Sequence, residues 1–149
     1  MFKYALAFAF SMATAVTVSL ADETVDTLAG PVTVREIPED FRVEISVAGQ
    51  PLYYQDDSRT AYIAQTFEVY GAVGVVVVGF NSGGSACPVL YRIVDVSQGA
   101  PNLSQQFGSC SDIPKFKVVK GSIQIDFPKY NEGSSERWVY SEGKLKQTR

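Results

Sequence analysis

The stretch from residue 83 to residue 112, G-G-S-A-C-P-V-L-Y-R-I-V-D-V-S-Q-G-A-P-N-L-S-Q-Q-F-G-S-C-S-D, limits what this chain can fold into more than any other part of it. It holds both cysteines, Cys87 and Cys110, at the two ends of a segment that reads as a single β-hairpin. If Cys87 faces Cys110, every cross-strand pair follows. Leu90 opposes Phe107 and Val94 opposes Leu103 on one face, with Arg92 against Gln105 between them. The other face sets Val89 against Gly108, Tyr91 against Gln106 and Ile93 against Ser104, so that the Tyr91 ring can lie over the bare backbone of Gly108. This register closes on a loop at 97–100, a common length for a hairpin connection. The apolar pattern, the turn and a disulfide agree on it, and the disulfide needs the two Cα atoms within about 7 Å.

The first residues read separately from the rest. Lys3 is followed by an almost unbroken apolar run to Val18, and Ser19-Leu20-Ala21 offers small residues before Asp22. The run is shorter than the roughly 20 apolar residues of a spanning helix and ends on a small-residue exit, so residues 1–21 are expected to be a secretory signal peptide; cleavage after Ala15 is the alternative. No cysteine follows the run to carry a lipid anchor. The expected mature chain, 22–149, is a single domain of periplasmic or secreted destination, with no membrane span once the leader is gone. In an oxidising compartment two cysteines pair, and the closed loop should stabilise the fold by roughly 3 kcal/mol.

Charge narrows the partners. The chain carries 13 Lys plus Arg against 16 Asp plus Glu, and Lys3 lies in the expected leader. A net negative chain with no basic cluster visible in its sequence argues against nucleic acid and against anionic membrane surfaces as partners.

Along the chain, short strands alternate with turn signals. Residues 22–30 are polar and unpatterned and read as a loose lead-in. Residues 31–36 and 41–47 alternate β-branched with polar residues, the second placing Phe41, Val43, Ile45 and Val47 on one face. Residues 52–55 form a short strand candidate, and Asp56-Asp57-Ser58-Arg59 a turn. Residues 60–70 admit a helix, capped by Asp57 or Ser58 and ending at Gly71, but their density of Thr, Ile, Phe, Val and Tyr favours a strand with Ile63, Phe67 and Val69 on one face. Residues 73–80, V-G-V-V-V-V-G-F, are apolar at nearly every position, which predicts a central strand covered on both faces, with Gly74 and Gly79 marking bends or close backbone approach. Strands at 116–119, 122–127, 137–140 and 144–147 follow, with tight turns at Lys120-Gly121 and Ser141-Glu142-Gly143-Lys144. The fold class is all-β: an antiparallel meander forming a small barrel or sandwich with one disulfide.

Gly83-Gly84-Ser85-Ala86-Cys87-Pro88 with Tyr91-Arg92, followed by Phe107-Gly108-Ser109-Cys110-Ser111-Asp112, resembles a pattern of small exported proteobacterial proteins of unknown function. The likeness covers about the central third of the expected mature chain and implies a shared shape. It brings no activity with it.

Few constellations suggest chemistry. The chain has no histidine, which excludes Ser-His-Asp and Cys-His catalysis and most zinc sites; no metal site and no cofactor is expected. Cys87 as a reactive thiol lacks a C-x-x-C partner, which favours a structural disulfide over a thiol redox role. Asn81-Ser82-Gly83-Gly84-Ser85 could form an anion-holding nest, but the Lys and helix of a phosphate loop do not follow it. Asp56, Asp57 and Asp112 are the loop acids that could meet as a carboxylate pair, and they read more simply as solvated turns and a local cap.

Tyrosines and the single tryptophan are abundant. Tyr53, Tyr54, Tyr62, Trp138 and Tyr140, with Tyr70, Tyr91 and Tyr130 beside them, could line a sheet face that docks an envelope protein or stacks on a glycan, although the same residues also fill strands. The leading expectation is a non-catalytic periplasmic binding or interaction module, of inhibitor or accessory type, presenting an aromatic face or the loops beside the disulfide. The competing readings are a histidine-free carboxylate hydrolase acting on envelope glycans and, behind it, a thiol redox protein.

Overall fold

The computed structural model describes residues 22–128 and 135–149, so the expected leader and Tyr130 lie outside the described residues. The described chain is all-β and antiparallel, with one 3-10 turn at Pro38–Asp40 and no α-helix among the described residues. Three consecutive four-stranded meanders make up the fold. The first comprises β1 (Glu23–Thr27), β2 (Gly30–Ile37), β3 (Arg42–Val47) and β4 (Gln50–Asp56). The second comprises β5 (Thr60–Val69), β6 (Ala72–Asn81), β7 (Val89–Asp95) and β8 (Asn102–Leu103). The third comprises β9 (Lys115–Val119), β10 (Ser122–Phe127), β11 (Glu136–Ser141) and β12 (Lys144–Gln147). In each sheet the strands lie in chain order, and each sheet keeps two edges. The sheets stack as a sandwich of three layers instead of closing into a barrel.

The apolar run of β6 is the reason for three layers. Val76, Val78 and Phe80 point to one side and join Val32, Val34, Val43 and Ile45 of the first sheet. Val75 and Val77 point to the other and join Ile123, Ile125, Phe127 and Tyr140 of the third. A strand apolar on both faces needs a cover on each, and an antiparallel sheet with one polar face supplies each cover. The central strand expected at 73–80 therefore separates two cores.

Four connections are two-residue turns in which both residues have positive φ: Ala48-Gly49, Tyr70-Gly71, Lys120-Gly121 and Glu142-Gly143. That backbone matches the right-handed twist of the flanking strands, with Gly carrying the second position. Gly79 has a different role. Tyr62 lies opposite it, and a Cβ there would come within 2.7 Å of the Tyr62 ring. Gly79→Ala is expected to destabilise the fold by about 1–3 kcal/mol through overpacking, read as a lower urea midpoint at unchanged slope; a midpoint equal to wild type would show that the ring moves freely.

Several expectations are corrected. Residues 23–27 are not a lead-in but strand β1, because Val25 joins the first core and Thr24 meets Thr33 across the ladder. Phe41 does not share the buried face of Val43, Ile45 and Val47: it ends the 3-10 turn in a left-handed conformation and is 59% exposed. Residues 60–69 form a strand, as favoured over the helix, but Ile63, Phe67 and Val69 do not share a face. A bulge at Ala64 shifts the register, so Ile63 packs toward the first sheet while Phe67 and Val69 pack toward the third.

Cys87 and Cys110 form the disulfide, with Cα atoms 4.4 Å apart. The expected register holds at the loop end, where Val94 pairs with Leu103 and Asp95 with Asn102. It then slips by one. Tyr91, not Leu90, pairs with Phe107, through two backbone hydrogen bonds of 2.9 Å. The slip places both rings in the second core, with centroids 6.0 Å apart, while the Ser104 hydroxyl accepts the Ile93 N–H. The Tyr91 ring does lie over Gly108, where a Cβ would come within 3.2 Å of it. The connection is also longer than the loop expected at 97–100: the strands end at Asp95 and resume at Asn102.

Candidate functional site

The five aromatic candidates do not form one surface. Tyr140 is buried in the second core at 4% exposure, its hydroxyl donating to Asp95 Oδ2 at 2.7 Å. Trp138 packs against Phe107 with its indole N–H on Glu136, and Tyr62 lies half-buried across Gly79 with its hydroxyl 3.4 Å from that of Tyr91. These three are interior residues between the second and third sheets. Tyr53 and Tyr54, adjacent on β4, necessarily point to opposite faces. Tyr54 is 42% exposed on the outer face of the first sheet, where the Arg42 guanidinium lies 5.6 Å from its ring centre. A hydrogen bond to Glu44 holds its hydroxyl above the ordinary tyrosine range. Arg35 and Glu44, paired at 3.0 Å, flank it. Tyr70 stands alone at a turn tip, 89% exposed.

Tyr53 belongs to the more distinctive arrangement. It turns inward from β4 and meets Arg92, which projects from β7 toward the first sheet. The Arg92 guanidinium carbon lies 4.4 Å from the Tyr53 ring centre, and Nη2 donates to the Tyr53 hydroxyl at 2.9 Å. Nη1 donates to the Ser104 carbonyl at 2.9 Å, and the Tyr53 hydroxyl donates in turn to Gln55 Oε1 at 3.1 Å. Every one of these partners is neutral. Among the described residues the ion pairs are Arg35–Glu44, Arg42–Asp56 and Arg137–Asp126, and Arg92 is in none of them. The side chain is half-buried and fixed, yet its charge is not cancelled by a carboxylate in contact.

Beside this seam opens a cavity of about 220 Å³. Gln55, which bonds Tyr53, also lines it, together with Asp57, Phe80, Leu90, Gln106 and Cys87 of the disulfide. The lining is mixed: Phe80 and Leu90 are apolar, Gln55 and Gln106 offer amides, Ser58 and Ser82 hydroxyls, and Asp56 and Asp57 carboxylates. The acids do not assemble for hydrolysis. Asp56 is held by Arg42 at 2.7 Å, and Asp57 sits next to it in a left-handed turn. Asp112 lies across the middle sheet near the Tyr91 hydroxyl. No group of three or more metal-binding side chains occurs among the described residues.

The glycine loop is internally satisfied: the Gly83 N–H donates to Asn81 Oδ1 at 2.6 Å and the Gly84 N–H to the Ser82 hydroxyl at 3.4 Å. Its donors are turned on its own side chains, as in an Asx turn.

Arg92 was legible in outline, since it falls between Leu90 and Val94 in an otherwise apolar row. Sequence reading missed the charge layout. Residues 22–112 carry twelve acidic and four basic side chains, whereas 115–149 carry eight basic and four acidic ones. The expectation of no basic cluster is overturned by the fold: a strand period of two and the side-by-side alignment of β9 to β12 bring dispersed lysines onto one face. The signal available was the charge asymmetry between the two parts of the chain.

No family model, curated protein or solved structure matches the chain.

Proposed function

We propose that this chain is a non-catalytic interaction module of an exported compartment, which captures an envelope protein or glycan through the seam between β4 and β7 beside the disulfide. The observation that carries the reading is Arg92, fixed against Tyr53 with only neutral partners and reaching Gln55, which lines the recess. A partner group with a carboxylate or a cluster of carbonyl oxygens would complete its coordination with little reorganisation, which is where binding energy is gained. The separation of Asp56 and Asp57 from Asp112 speaks for binding over hydrolysis.

The test is capture from an envelope extract by the immobilised protein. Arg92→Gln is expected to weaken capture at least about tenfold, the scale of one lost charge-assisted contact in a desolvated site. Arg92→Lys should not restore it, because an ammonium cannot reproduce the stacked fork. Capture by Arg92→Gln equal to wild type, in a protein that retains its disulfide and unfolding midpoint, would reject the seam as the binding site.

A further inference from the structure

The outer face of the third sheet carries mostly cationic charge among the described residues. In register, Lys117 on β9, Gln124 on β10, Val139 on β11 and Lys146 on β12 form one row across the face. Lys115, Asp126 and Arg137 form the next, and Val119, Ser122, Ser141 and Lys144 the row on the other side. Asp126 is taken by Arg137, whose Nε lies 2.6 Å from Oδ1, an arrangement that holds the Asp126 carboxyl below its usual range. Lys115, Lys117, Lys144 and Lys146 are all exposed, and none is in an ion pair among the described residues. Shallow depressions of about 300 and 340 Å³ lie at opposite ends of the face, the first beside Lys115, Lys117 and Arg149, the second beside Lys144 and Lys146. No described strand of the other sheets packs on this side, because Phe116, Ile123, Ile125 and Tyr140 point inward.

We infer that this face docks on an anionic lipid surface, its unpaired lysines set against phosphate-bearing headgroups. The cations are spread over four strands in two dimensions on a sheet face, which matches a plane of charge; a linear glycan would engage a single row. The outward residues of β9 to β12 include no aromatic ring on which a base could stack, and no protruding element to enter a duplex groove. The acid excess does not prevent docking. It resides in the other two sheets, stacked about 10 Å apart, while the screening length at physiological salt is about 8 Å. The face therefore acts nearly alone at contact, and the acidic layers orient the molecule with that face toward the surface. This inference is independent of the Arg92 seam.

The experiment is co-sedimentation of the processed protein, in the form that cells accumulate, with vesicles of phosphatidylglycerol and phosphatidylcholine or of phosphatidylcholine alone. Binding is expected only to the anionic vesicles, and to fall as salt rises. Lys117→Glu with Lys146→Glu should reduce it at least about tenfold, from the contribution of a basic residue near such a surface. Adding Asp26→Lys and Asp40→Lys, exposed positions away from the face, to that variant should not restore it although the overall charge returns to wild type. Equal binding to both vesicle types, full binding by the lysine variant, or rescue by the distant lysines would overturn the inference. So would retention on polyphosphate or an acidic glycan without vesicle binding, which would reassign the face to a soluble polyanion.

Discussion

From pH 8 to about pH 10 the two buried tyrosines are expected to add no pH dependence to stability, and above that to make it fall by roughly 2.7 kcal/mol per pH unit, because they ionise only in the unfolded chain. Tyr91 is fully buried and Tyr140 is 4% exposed. Burial is the main reason that both hydroxyls are pushed well above the ordinary value of 10, with Tyr62 and the Asp112 charge adding to it at Tyr91 and Asp95 at Tyr140. Asn102 opposes the shift at Tyr140. The sign follows from proton counting. Below pH 10 both states keep their protons and the tyrosines contribute no slope. Above it the unfolded chain releases two protons that the folded chain retains, so rising pH favours unfolding, at about 1.4 kcal/mol per unit for each group. Urea unfolding between pH 8 and pH 11.5 measures the slope, and Tyr91→Phe or Tyr140→Phe should each halve it. Tyr140→Phe should also cost about 1–3 kcal/mol at neutral pH, since Asp95 loses its buried donor. A double Phe variant with the full alkaline slope would refute the assignment.

Loss of the Cys87–Cys110 bond is expected to lower stability by about 3 kcal/mol, whether by reductant or by paired serine substitution. The two residues are 23 positions apart, and the hairpin they close has little else to hold it. Strand β8 is two residues long, and beyond it the return segment is tied to β7 by the Tyr91–Phe107 bridge, the Ser104 contacts and the Tyr91 hydroxyl on the Ser111 carbonyl. Cys87 also lines the cavity beside Arg92, so reduction should weaken partner capture along with stability. Intact mass before and after reduction with alkylation establishes the bond, and the urea midpoint reads its contribution. An unchanged midpoint on reduction would mean that the aromatic cluster of Tyr91, Phe107 and Phe127 holds the hairpin by itself.

Much of the fold could be read residue by residue. Alternation in 41–47, the doubly apolar run of β6 and the glycine turns are local signals, each tied to a period of two or to a positive φ, and the strands appear where those signals lie. The two misses of register share one cause. At Ala64 and again between Leu103 and Phe107 the ladder absorbs an irregularity, and each such shift exchanges inward for outward residues downstream of it. A strict two-residue count therefore put Leu90 opposite Phe107 and grouped Ile63 with Phe67. Bulges serve the packing of neighbouring sheets, and that packing is invisible along a single strand.

The candidate sites divide in the same way. The pairing of Cys87 with Cys110 followed from the hairpin pattern and the expected export, whereas Tyr53 and Tyr54, grouped on one face in the sequence, point to opposite faces of β4. That Tyr62, Trp138 and Tyr140 fill a core, that Arg92 meets Tyr53 from another sheet, and that scattered lysines share one plane depended on how three meanders stack. From sequence alone came most of the strands after residue 30, several of their turns, the disulfide and a sheet strand that had to be covered twice. The tertiary structure decided which residues cover it and which charges remain outside, because contacts between sheets join residues far apart in the chain that no local period relates.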